Sequence, residues 1–162
     1  MSLHTIIQSL EKLIMLHESL LSVSELKTAA IKAGSMEDLQ ALLVKERKHV
    51  QALEQVETSR QQVVDNWFEM NNLPSENKTI TAMLELLEDR AQQRTLENVT
   101  VNLTNAVADL KSQEQLNQAL IQQSLQFVEL SLDMMNPSIN NLNYGNKVDK
   151  ESVKRSVFDS KA

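Results

Sequence analysis

The stretch Leu116–Met135, LNQALIQQSLQFVELSLDMM, sets the terms for the whole chain. It has no glycine or proline, and its only charged side chains are Glu129 and Asp133. At helical spacing Leu116, Leu120, Phe127, Leu130 and Met134 fall along one line, and Ile121, Leu125, Val128, Leu132 and Met135 along a neighbouring one. Two adjacent apolar lines make a stripe wider than one partner helix usually covers. Asn136-Pro137 ends the helix, because proline lacks the amide donor and disfavours helical backbone before it. The stripe has two readings. It is core buried between other helices, or it is a face held partly open for a partner. Gln118, Gln122, Gln123 and Gln126 flank it with uncharged, adaptable hydrogen bonders, which suit the second.

The rest of the chain supplies helices. Two glycines and two prolines in 162 residues leave few places to turn. Leu3, Ile6, Leu10, Leu13, His17 and Leu20 alternate spacings of three and four, predicting a first helix from near Leu3 to about Ala33. Gly34 then suits a left-handed C-cap and Ser35 an N-cap, with Glu37 and Asp38 in the following first turn. So short a turn predicts an antiparallel helical hairpin. The second helix, Met36 to about Asn71, ends before Pro74, and each arm spans roughly 45–55 Å at helical rise. A polar loop, Pro74–Lys78, precedes a short helix capped by Thr79 or Thr81. The weakly apolar run EDRAQQRT suggests a break near Ala91–Thr95 before the last helix resumes at Leu96. The expected class is therefore all-α: an elongated antiparallel hairpin, a short helix and a long last helix, a coiled-coil-like helical bundle over residues 3–136. Residues 137–162, rich in Asn, Ser and Lys, read as a flexible, disordered tail.

Composition excludes several classes of function. A net charge of −6 offers no basic face for phosphates, so nucleic acid is not an expected partner. The tail carries five basic side chains against three acidic ones, which leaves the helical part more acidic than the whole. Without cysteine there is no disulfide framework or thiol chemistry. The N-terminus lacks the basic and long apolar segments of a signal peptide, and no apolar run approaches the roughly 20 residues that span a bilayer. The cytoplasm is the expected compartment, without membrane insertion.

No catalytic constellation stands out. Glu46-Arg47-Lys48-His49 is a Glu-x-x-His on a helix, but di-iron bundles need that motif twice with two further carboxylates. His17 reads as a core-edge histidine, and Glu57 with Arg60 as an intrahelical surface pair. Trp67-Phe68 reads as one ring inside and one capping the bundle end. Neither an enzyme nor any metal or cofactor is expected.

At Asn117-Gln118-Ala119-Leu120-Ile121-Gln122-Gln123-Ser124-Leu125, followed by Phe127-Val128 and then Tyr144-Gly145, the sequence resembles the FlgN family of flagellar export chaperones. Lys45-Glu46-Arg47 in the second helix and the layout over about residues 3–145 agree with it. The resemblance implies a cytoplasmic chaperone of flagellar type III secretion. It would bind the C-terminal segments of the hook–filament junction proteins FlgK and FlgL, prevent their premature assembly and target them for export. It further implies a cargo face of Leu116, Asn117, Leu120, Ile121, Ser124, Leu125, Phe127, Val128, Leu132 and Met135, and docking of Tyr144 to the export-gate component FlhA. A monomer or weak homo-oligomer is expected. The alternative is a structural helical-bundle adaptor that self-associates through the same stripe.

Overall fold

A computed structural model describes residues 3–73 and 76–135 of the chain. Among these the fold is all-α, with four helices: α1 (Leu3–Ala33), α2 (Met36–Met70), α3 (Ile80–Leu86) and α4 (Arg90–Met135). The structure divides into two units, Met1–Leu120 and Ile121–Ala162, and α4 contributes to both. The expected tail and the expected boundary after residue 136 lie outside the described residues.

The turns follow from local chemistry. Gly34 takes φ +65°, and the amides of Ser35 and Gly34 donate to the carbonyls of Ala30 (3.0 Å) and Ile31 (3.1 Å). That is a Schellman closure, and it satisfies carbonyls that the end of α1 would leave open. Ser35 then caps α2, accepting the Asp38 amide on its side chain, so one residue pair reverses the chain. A Cβ added at Gly34 would meet nothing within 4 Å. Gly34→Ala should therefore lose about 1–2 kcal/mol from backbone strain alone, read as a shift of the urea midpoint. α2 ends by the same device. Asn72 supplies the positive φ, 52°, and Leu73 donates to Phe68 at 3.1 Å.

The expected break near Ala91–Thr95 is instead at residues 87–89, and α4 runs through 91–95 without interruption. Asp89 is the reason. Its carboxylate accepts the Ala91 amide at 2.8 Å and its carbonyl accepts Gln93 at 2.9 Å, which starts α4 there. The Gln93 side chain donates to the Leu84 carbonyl at 2.8 Å, tying the end of α3 to the first turns of α4.

In the first unit the four helices share one apolar core. Leu3, Ile6, Leu10 and Leu13 of α1 pack with Val63, Val64, Trp67 and Phe68 of α2, Met83 of α3 and Leu96 of α4. The start of α1 thus meets the end of α2, as an antiparallel hairpin requires. Both aromatic rings are buried here, so neither caps an open end. They meet edge to face at 5.1 Å between centroids and 89° between planes.

The other end of the same unit closes on polar groups. Lys27 of α1 is buried and donates to Glu46 of α2 at 2.9 Å and to both carboxylate oxygens of Glu114 of α4 at 3.1 Å. Ser24 donates to Glu114 at 2.8 Å and accepts from the Asn117 amide at 3.0 Å, which also reaches the Ser24 carbonyl at 2.9 Å. Thr28 donates to the Asn117 side-chain carbonyl and accepts from Gln113 at 2.6 Å. Among the described residues no buried side-chain polar atom lacks a partner. Burial alone would lower the Lys27 pKa, but hydrogen bonds and attraction from Glu46 and Glu114 outweigh it, and the value is raised. The contribution of this raised group is complete at neutral pH and is lost only as pH climbs through its folded value. Lys27→Met leaves two carboxylates without their cation. A loss of about 1–3 kcal/mol at pH 7 is expected in urea unfolding, less than for a fully enclosed pair because both acids reach water.

Candidate partner-binding face

In the second unit, Ile121–Met135 carries the apolar stripe. Leu, Gln and Met are good helix formers, and no β-branched run or glycine interrupts them. Ile121, Leu125, Val128, Leu132 and Met135, spaced four, three, four and three, form one ridge; all are exposed, from 39% at Ile121 to 76% at Met135. Phe127, Leu130 and Met134 form a second exposed ridge. At 100° per residue Ser124 and Ser131, seven apart, fall between the ridges and offer a trough of small side chains. The charges are Glu129 and Asp133, on the flank, with no basic residue in this segment. Single exposed apolar side chains are ordinary, but eight along 15 residues are the composition of an interface.

The expected cargo residues do not all fall on this face. Leu116 is exposed and Leu120 half-buried, both in the first unit. Asn117, expected among the cargo contacts, is 2% exposed and spends its amide on Ser24 and Thr28. It belongs to the interior polar layer rather than to an open surface. Tyr144 lies outside the described residues. The layer itself was signalled by a register. Leu96, Leu103, Leu110 and Asn117 recur every seven residues along α4, and a lone asparagine on an apolar heptad line marks a buried polar pairing.

Other candidate groups have structural partners. Glu46 is engaged with Lys27, and the Nδ1 of His49 lies 2.8 Å from the Lys45 carbonyl, so the Glu-x-x-His pair does not converge. Among the described residues no group of three or more His, Asp or Glu is placed to hold a metal ion. His17 is half-buried, with Nδ1 donating to the Leu13 carbonyl at 2.7 Å. Arg60 grips Glu57 with two bonds of 2.7 and 2.5 Å, more enclosed than a surface pair. The hydrogen bond from Arg60 holds the Glu57 carboxyl below the usual range against the opposing effect of burial. Its contribution to stability is present above the ordinary glutamate value and is lost as pH falls through the lowered one. Among the described residues no helix is long and apolar enough to cross a membrane.

The chain is similar along its whole length to YvyG of Bacillus subtilis (strain 168), described as an uncharacterized protein. The two are 37% identical over 165 residues, covering 100% of each. No solved structure matches the chain. Residues 1–151 match the family model described as FlgN protein. With a helical hairpin, a short helix, a long last helix and an open apolar stripe along it, the chain belongs to the FlgN family, a family of flagellar export chaperones rather than of enzymes.

Proposed function

We propose that this protein is a cytoplasmic chaperone that holds the C-terminal segments of the hook–filament junction proteins FlgK and FlgL and delivers them for type III export. The observation that carries the reading is the exposed double ridge on Ile121–Met135. An amphipathic segment laid along it would bury Ile121, Leu125, Val128, Leu132 and Met135 by the helix-in-groove mode. Such a cargo pays its ordering cost on binding, which suits a complex that must later come apart. The lack of any basic side chain in this segment, beside Glu129 and Asp133, favours a cargo helix edged with lysine or arginine. Delivery would add contacts with the export gate, FlhA, to which Tyr144 is assigned by family resemblance.

Calorimetric titration with a synthetic C-terminal peptide of FlgK tests this, with FlgL in parallel. One peptide per chain and a negative heat-capacity change are the expected result. Sedimentation without peptide separates the competing adaptor reading. A stable dimer that blocks peptide binding would mean that the stripe closes on a second copy instead.

A further inference from the structure

α4 is fastened to the hairpin in two unlike ways. At Leu96 it enters the apolar core, with Val99 and Leu103 packed against the same cluster. Beyond Leu103, no apolar side chain of α4 within the first unit is fully buried. An open cleft of about 330 Å³ lies there instead, with Ile14, Glu18 and Leu21 of α1 on one side and Asn102, Ala106 and Asp109 of α4 on the other. The next buried side chain on α4 is Asn117, about 30 Å along the axis from Leu96. The buried contacts that hold α4 at this second point are hydrogen bonds and an ion pair, to Ser24, Lys27 and Thr28, while Leu110 and Leu120 are only half-buried. Such bonds replace bonds to water and contribute little net free energy, whereas apolar burial contributes in proportion to area. Glu46 and Glu114 remain partly exposed, so water has a route to replace each bond as it breaks.

We propose that the polar layer is a latch: residues 106–120 of α4 open from the hairpin as a local unit while the end around Phe68 and Leu96 stays shut. When closed, the layer fixes the register of α4, since only one alignment places Asn117 against Ser24 and Thr28. When open, it uncovers the Ser24 and Thr28 side of α1. Use of that opening for cargo entry rests on the chaperone reading; the opening itself does not.

Hydrogen exchange on the free, full-length protein followed by mass spectrometry tests the latch without any cargo. Peptides covering 106–120 should be at least about tenfold less protected than those covering 96–103 and 63–68, with rates nearly insensitive to low urea. Equal protection and equal urea dependence across these peptides would overturn the proposal. The variant Ser24→Ala with Thr28→Val and Asn117→Leu replaces the buried hydroxyl and amide groups of the layer by apolar side chains, leaves Lys27 with Glu46 and Glu114, and should raise protection of 106–120 towards that of 96–103. A folded variant that leaves the difference unchanged would also overturn it. If the variant does not fold, the exchange pattern of the unsubstituted protein decides alone.

Discussion

Replacing Leu125 and Leu132 together by aspartate is expected to abolish measurable binding of a FlgK C-terminal peptide while leaving the fold intact. The two residues are seven apart on one ridge, both more than half exposed, and neither belongs to the apolar core or the polar layer. Each substitution removes an aliphatic side chain from the proposed contact and places a carboxylate there. Losing the burial of one leucine costs about 1.5–3 kcal/mol of binding. Forcing an unpaired charge into an apolar contact adds more. Two such sites together exceed about 4 kcal/mol, roughly a thousandfold in Kd, which takes a micromolar complex out of range. Exposed positions tolerate the change in the free protein, so far-UV circular dichroism and the urea midpoint should move little. Normal binding by this variant would mean that cargo uses a different surface. Impaired folding in step with lost binding would mean that the ridge is structural.

Much of the fold is legible because its punctuation is local. Gly34-Ser35 carries both a C-cap and an N-cap within two residues, and Thr79 caps α3 with its own hydroxyl, so helix ends follow without knowledge of the packing. The break before α4 is less visible because two local signals compete. The weak apolar pattern over Ala91–Thr95 suggests a break there, while Asp89 gives the start of α4 its cap. Long-range pairings are of another kind. Lys27 meets Glu46 across 19 positions of sequence and Glu114 across 87, and nothing in periodicity chooses those partners among the many charged residues available. The same holds for Trp67 and Phe68. A bundle end looks open in a helical pattern, yet both rings are buried in a cluster that Met83 of α3 also joins. The open face of Ile121–Met135 is half legible: its width is written in the residues, but its exposure belongs to tertiary structure. Asn117 shows the limit most clearly. It sits in the same motif as half-buried Leu120 and exposed Leu125, and although its heptad line with Leu96, Leu103 and Leu110 marks a buried polar position, its partners Ser24 and Thr28 follow only from packing.

Phe68→Ala should be the most damaging single truncation in the chain, costing about 3–5 kcal/mol. The ring is fully buried, packs edge to face on Trp67 and lies in the cluster that joins all four helices. Removing it leaves a cavity that four separate elements would have to collapse to fill. A typical domain of this size holds only about 5–15 kcal/mol in total, so a large share of the stability is at stake. The contrast with the polar layer sharpens the expectation. There, satisfied hydrogen bonds replace water at little net gain, and their main return is register rather than stability. Phe68→Ala should therefore cost clearly more than Thr28→Val, although both positions join α1 or α2 to its neighbours. Trp67, the single tryptophan, reports on the site directly, and urea unfolding followed by its fluorescence gives the comparison. If Phe68→Ala proves milder than Thr28→Val, the polar end rather than the aromatic one holds the bundle together, and the latch would have to be assigned to the opposite end of α4.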